Sequence, residues 1–148
     1  MFNPKKILVP TDMSSHADKA VSHAIEIARQ FGGELFMLHV IHDSVQQCTV
    51  DYCIESPLAE KLQNELVEAA RKNIREQAEK FPGAKDITIT TDVKIGVAHD
   101  RILQEEEERG IDLVVMSSLG TTGLAKYMIG SVARHVLQNS KCSVLLVK

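Results

Sequence analysis

The sequence predicts an α/β fold in which a parallel sheet is sandwiched between helices. Three observations carry that expectation. Short apolar runs alternate with stretches whose apolar residues recur every three to four positions, in the order β-α-β-α-β-α-β-α-β. Each connection between runs is long enough for a right-handed crossover. Two of the runs, ELFMLHVI and IDLVVM, are almost wholly apolar, as strands covered on both faces are.

Each element follows from its residues. Lys6–Val9 (KILV) is the first strand, stopped by Pro10. Ser14 and Ser15 offer N-caps to a helix in which Ala17, Ala20, Val21, Ala24, Ile27, Ala28 and Phe31 share a face, and Gly32-Gly33 ends it. Glu34–Ile41 is the second strand. Residues 42–56 lack a period and read as a long loop before Pro57. A long helix over 57–81 carries Leu58, Leu62, Leu66, Ala69, Ala70, Ile74, Ala78 and Phe81 on one stripe, and Pro82-Gly83 terminates it. Ile87–Val93 (ITITTDV) alternates and is rich in Thr and Ile, which marks a strand open to water near a sheet edge. A helix over 97–109 turns Ile102 and Leu103 inward and the run Glu105–Glu108 outward as a solvated face. Ile111–Met116 is a buried strand. A helix over 131–140 uses Val132, Val136 and Leu137, and Ser143–Val147 (SVLLV) is the last strand.

The 148 residues make a single domain spanning 1–148. Hydrophobic and charged fractions of 44% and 25% are those of an ordinary globular protein. A net charge of -3 argues against a nucleic-acid partner, which selects basic domains. No apolar stretch approaches the about 20 residues of a membrane span, and the opening MFNPKKILVPTD has too short an apolar run for a signal peptide. Cys48, Cys53 and Cys142 are few and odd in number, which fits a reducing cytoplasm. The expectation is therefore a cytoplasmic protein without membrane attachment.

Chemistry belongs at the carboxyl ends of the strands, where open α/β sheets bind ligands. Two ends are unusual. Pro10-Thr11-Asp12-Met13-Ser14 follows the first strand, and Ser117-Ser118-Leu119-Gly120-Thr121-Thr122-Gly123 follows the fourth. Glycines there admit close approach of backbone N–H groups to phosphate oxygens. Gly130-Ser131-Val132 opens the last helix, whose first-turn N–H groups and dipole suit an anion. Asp12 is a natural acceptor for ribose hydroxyls or an adenine amine. The plainer alternative is that the glycines shape a turn and Asp12 caps a helix with Ser14 and Ser15. Three segments converging on strand ends favour a nucleotide site.

These residues resemble the universal stress protein family. ILVPTDMSS is similar to its first strand and turn, and CSVLLVK to its last strand. Between Met116 and Ser131 the chain resembles the family signature of Gly, two residues, Gly, nine residues, Gly and Ser/Thr; here it reads Ser117, two residues, Gly120, nine residues, Gly130-Ser131. The resemblance implies a Rossmann-like sheet, akin to the adenine nucleotide alpha hydrolases, with strand order 3-2-1-4-5. It implies ATP as ligand, with Mg2+ held through the phosphates. Pro10, Thr11, Asp12 and Val40 would line the adenosine part, and Met116, Ser117, Gly120, Gly130, Ser131 and Val132 the ribose and phosphates. It also implies a homodimer through antiparallel pairing of 143–147, a strand whose apolar edge invites pairing. Ser117 departs from the signature: its Cβ adds bulk and holds the backbone to negative φ.

Other constellations fall away. No GxxxxGK[ST] occurs, PTDMSS lacks the glycines of the adenylating SGGxDS pattern, and the clustered acids of a phosphoryl receiver are missing. His39, His42, Cys48 and Cys53 carry zinc-type side chains, but strand positions three apart point to opposite faces. His16, His23, His99 and His135 share no face with an acid–nucleophile pair. No catalytic base can be named, so at most slow ATP hydrolysis is expected. The resulting expectation is an ATP-binding stress-response module acting as a dimer. The alternative is an interaction protein of the same fold that binds no nucleotide, with Ser117 as the disabling change.

Overall fold

Strand and helix alternate through the chain because apolar residues alternate between periods of about two and about 3.6. The computed structural model describes residues 1–43, 56–119 and 128–148. Its elements are β1 (Lys6–Pro10), α1 (Ser15–Phe31), β2 (Glu34–Ile41), α2 (Ser56–Glu79), a 3₁₀ turn (Pro82–Asp86), β3 (Ile89–Ile95), α3 (Ala98–Arg109), β4 (Leu113–Ser117), α4 (Ser131–Asn139) and β5 (Ser143–Val147). The sheet is wholly parallel with order β3-β2-β1-β4-β5. β1 pairs Lys6 with Glu34 on one side and Ile7 with Leu113 on the other.

Strand alternation sends side chains into two apolar layers. Ile7, Val9, Leu35, Met37 and Val115 pack against Ala20, Val21 and Ala24 of α1 and Ile74 of α2. Leu8, Phe36, Leu38, Val114 and Met116 pack against Ile102 of α3 and Ala133 and Val136 of α4. Both layers are buried at their centres, so the sheet is held from each side. Gly32 and Gly110, at φ 62° and 63°, end α1 and α3 in the left-handed conformation that closes a helix C-terminus.

Several expectations shift, each for a local reason. Strand β3 starts two residues later than the expected Ile87 and runs on to Ile95, because the 3₁₀ turn absorbs 82–86 and pairing with β2 continues to Ile41. Strand β4 starts at Leu113 because the Ile111 N–H is used to close α3, donating to the Glu106 carbonyl at 3.0 Å. Leu58, Leu62 and Leu66 do not face the core; they are 56%, 47% and 50% exposed. The face of α2 that packs is instead Ala59, Ala70, Ile74, Gln77 and Ala78. Leu137 is also largely exposed, and Ala133 takes its place inside.

The largest correction concerns the acidic run of α3. Glu107 and Glu108 are solvated, whereas Glu105 and Glu106 are buried. Glu105 is paired with Lys94 at 2.5 Å and with Arg109. Glu106 Oε1 accepts the backbone N–H groups of Lys141 (2.7 Å) and Cys142 (3.1 Å), tying α3 to the start of β5. Cys142 is half-buried, and burial pushes its thiol above the ordinary value.

Candidate functional site

The chain leaves β1 toward β2 on one side and reaches β4 and β5 on the other, so the β1–β4 boundary is the point where strand order reverses. A cavity of about 300 Å³ opens there, beyond the carboxyl ends of β1, β2 and β4. That volume sits at the lower end of the range of small-molecule pockets. Pro10, Thr11, Asp12, Val40, Met116, Ser117, Gly130, Ser131 and Val132 all line it. Gly120 lies outside the described residues, as do Cys48 and Cys53.

The β1 end is tightly held. The Thr11 N–H donates to the Leu38 carbonyl at 2.8 Å, and His39 Nδ1 donates to the Thr11 carbonyl at 2.8 Å. A carbonyl only accepts, so Nδ1 carries the proton. The Thr11 hydroxyl donates to Gln77 Oε1 of α2 at 2.8 Å, on the α1/α2 side of the sheet. Thr11 is therefore buried and its hydroxyl is already used. Asp12 is exposed, and its Oδ1 accepts from the Ser14 N–H (3.0 Å) and hydroxyl (2.5 Å). Ser14 in turn caps α1 through the Ala17 N–H. Asp12 thus does take part in capping, with one oxygen, and still borders the cavity. Between them Met13 sits at φ 62°, the one non-glycine with positive φ among the described residues. Such a conformation costs about 1–2 kcal/mol for an L-residue.

The β4 end is built differently. Ser117 Oγ accepts the Leu119 N–H at 3.2 Å, and its φ is not positive. The serine therefore suits this backbone without strain and its hydroxyl shapes the turn. The Ser118 N–H donates to the Val147 carbonyl, and its own carbonyl accepts the Gly130 N–H at 2.7 Å. That bond pins the start of α4 beside the end of β4. Gly130 is the N-cap of α4, and no side chain caps it. The first-turn N–H groups of Ser131, Val132 and Ala133 thus stand at the cavity with the positive end of the helix dipole.

A model of the universal stress protein family matches residues 3–148. The chain belongs to that family. Among its relatives, universal stress protein MJ0531 of Methanocaldococcus jannaschii is 35% identical over 144 residues, spanning 97% of this chain and 82% of the relative. Universal stress protein YxiE of Bacillus subtilis is 32% identical over 151 residues and is covered, like this chain, in full. The solved structure of hypothetical protein MJ0577 of M. jannaschii superposes with a TM-score of 0.84 at 28% identity, covering 99% of this chain and 97% of that one. Two more distant members share the fold. One, in complex with cAMP, has a TM-score of 0.69 at 21% identity and covers 99% and 98% of the two chains. The other, from Archaeoglobus fulgidus in complex with dAMP, has a TM-score of 0.61 at 18% identity and covers 99% and 100%.

Sequence reasoning missed one wall of this universal stress protein's cavity. Ala98 and Ile102 of α3 and Ala133 of α4 line it as well. Helix α3 starts right after the carboxyl end of β3 and, like α4, has no side-chain cap at its N-terminus, so the strand-end rule already pointed to it. His99 and His135 were also unanticipated as a pair: their rings stack across α3 and α4 at 3.8 Å, with His99 Nε2 3.3 Å from Asp100 Oδ1. Among the described residues no helix is long and apolar enough to cross a membrane.

Proposed function

We propose that the cavity binds an adenine nucleotide, ATP in the first place, and that the protein is a cytoplasmic stress-response module. The observation that carries this is the uncapped N-terminus of α4, pinned by the Ser118–Gly130 hydrogen bond beside the strand ends. Free N–H donors and a positive dipole end recruit phosphate, while Val40, Met116 and Ile102 offer an apolar slot for a base. Asp12 keeps its second carboxylate oxygen for ribose hydroxyls. That two proteins of this fold were solved with cAMP and dAMP supports an adenine nucleotide as the class of ligand. Mg2+ would enter on the phosphates.

In this reading ATP acts as a ligand, hydrolysed slowly at most, and no general-base role is assigned to Asp12 or His39 among the described lining residues. The competing reading, a fold-mate that binds no nucleotide, rested on crowding by Ser117. Its negative φ and its hydroxyl turned to the Leu119 N–H weaken that support. We further propose a homodimer through antiparallel pairing of β5, an edge strand with Leu145 38% exposed.

The test is titration of the purified protein with ATP, ADP and AMP, with and without Mg2+. Saturable binding is expected. No saturable binding below about millimolar, weaker than about -4 kcal/mol, rejects the reading.

A further inference from the structure

We infer that Gln77 of α2 is a positioning residue for the nucleotide, holding the Thr11–Asp12–Met13 turn through the Thr11 hydroxyl from the opposite face of the sheet. This rests on the nucleotide reading above.

Gln77 is a polar side chain buried to 7% exposure on the packed face of α2, among alanines and Ile74. Both ends of its amide are occupied. Nε2 donates to Asp18 Oδ1 of α1 at 2.9 Å, and Oε1 accepts from Thr11 Oγ1 at 2.8 Å. An ionised carboxylate only accepts, so Asp18 settles which end of the amide faces it. Lys80 holds the other Asp18 oxygen at 2.5 Å. Burial pushes the Asp18 carboxyl up, but the bonds from Gln77 and Lys80 outweigh it and keep it below the ordinary carboxylate value.

The polarity of the whole chain of bonds follows. With Oε1 as the acceptor, the Thr11 hydroxyl must spend its one proton on Gln77. Its lone pairs then face the other way and accept the Met13 N–H at 3.0 Å. That last bond helps hold Met13 at φ 62°, a conformation its side chain also supports by packing on the α1/α2 layer. Asp12 lies between the two fixed residues, so its position at the cavity depends on both. Remove Gln77 and the Thr11 hydroxyl has no obligatory direction. The Thr11 oxygen can still accept the Met13 N–H, but the rotamer that aims it there is no longer held, and with it the placement of Asp12 loosens. The link spans 66 positions of sequence, so α2 helps shape a site to which it contributes no cavity lining.

Among the described residues, the charged groups bonded to Gln77 or to its partner are Asp18 from α1 and Lys80 beyond the end of α2, while His39 from β2 holds the Thr11 carbonyl. They make Gln77→Glu informative. When protonated, the introduced carboxyl accepts from Thr11 and donates to Asp18, as the amide does. When ionised, it repels Asp18 and cannot donate.

The test combines three measurements on the full chain. ATP affinity is measured for wild type, Gln77→Leu, Thr11→Val and the double variant; each is expected to bind about tenfold more weakly, with the double variant no worse than either single one. Amide exchange at Met13 is followed without ligand and is expected to speed up about tenfold in Gln77→Leu. The affinity of Gln77→Glu relative to wild type is expected to recover as pH falls from about 8 to about 5.5. Wild-type affinity in a folded Gln77→Leu, additive losses in the double variant, or a flat relative pH profile in Gln77→Glu overturns the inference while leaving nucleotide binding intact. A wild type that binds no nucleotide overturns the functional reading and this inference with it. If Gln77→Leu does not fold, the Thr11→Val and Gln77→Glu measurements decide alone.

Discussion

Truncating Glu106 to alanine should destabilise the protein by about 1–3 kcal/mol, more than a residue in a charged helix run would suggest. The side chain is 5% exposed, and Oε1 accepts two backbone N–H groups, Lys141 at 2.7 Å and Cys142 at 3.1 Å. After truncation the Cys142 N–H keeps the Ser140 hydroxyl at 3.3 Å, so the Lys141 N–H is the donor left without its acceptor. A hydrogen bond to a charged group contributes about 1.5–3 kcal/mol. Part of that is offset because Glu106 Oε2 is itself buried without a partner, a desolvation cost that truncation removes. For a chain of this size the net loss lowers Tm by roughly 3–10 °C. Glu106→Gln keeps a carbonyl on both amides, so it should lose less than alanine does. The assay is urea and thermal unfolding by circular dichroism at fixed protein concentration, since a dimer makes Tm concentration-dependent. An alanine variant within about 0.5 kcal/mol of wild type, or a glutamine variant less stable than alanine, would refute the clamp.

Three further predictions follow from the same geometry. Burial raises the Glu105 carboxyl, but the bonds from Lys94 and Arg109 outweigh it and hold it below the ordinary value. Its contribution is therefore complete above the unfolded value of about 4.3 and lost as pH falls through the lower folded one, so the stability gap between wild type and Glu105→Gln should narrow in acid. A gap that stays constant from neutral pH to about pH 3 would reject this assignment. Gly130→Ala should fold normally, because φ is -60° there, yet bind ATP about tenfold more weakly by crowding the phosphate approach. Unchanged affinity by calorimetry would move the phosphates away from this helix end. If the proposed β5 homodimer forms, Leu145→Asp should leave the protomer folded and shift light scattering from a dimeric to a monomeric mass; a wild type that is monomeric, or a dimer that survives the change, rejects β5 pairing.

What could be read from the sequence and what could not divide along physical lines. The runs KILV, ELFMLHVI and SVLLV announce strands because burial on a sheet needs only local apolarity, and each is found where its residues lie. The cavity residues Pro10, Thr11 and Asp12, and Met116, Ser117, Gly130, Ser131 and Val132, were legible because strand ends and a helix N-terminus are local features at known spacing. Leu58, Leu62 and Leu66 misled because a stripe at helical period says that a helix has an apolar face, not that a sheet lies under it. Glu105, Glu106 and Gln77 were illegible for a stronger reason. A polar side chain is buried only when distant partners satisfy it, and theirs arrive from 35 positions away for Glu106 and 66 for Gln77.

Those same distant polar contacts bear on function. The apolar layers hold the sheet together, but packing alone does not direct a hydroxyl or fix a left-handed residue. At the β1 end, Thr11 is held by Leu38, His39 and Gln77 from three different positions in the chain. At the β4 end, Ser118 joins Val147 of β5 to Gly130 of α4. Each wall of the cavity is thus tied to a residue that does not line it, Gln77 at the β1 end and Val147 at the β4 end. Gln77 connects the β1 wall to α2, and Ser118 connects the β4 wall to β5. α2 carries exposed Leu58, Leu62 and Leu66, and β5 lies at the edge of the sheet. For the nucleotide-binding module proposed above, these are routes among the described residues by which an occupied cavity could be read by a partner. On that ground, variants at Gln77, which does not line the cavity, are the sharper probes of signalling, and variants at the lining residues Asp12, Ser118 and Gly130 of binding.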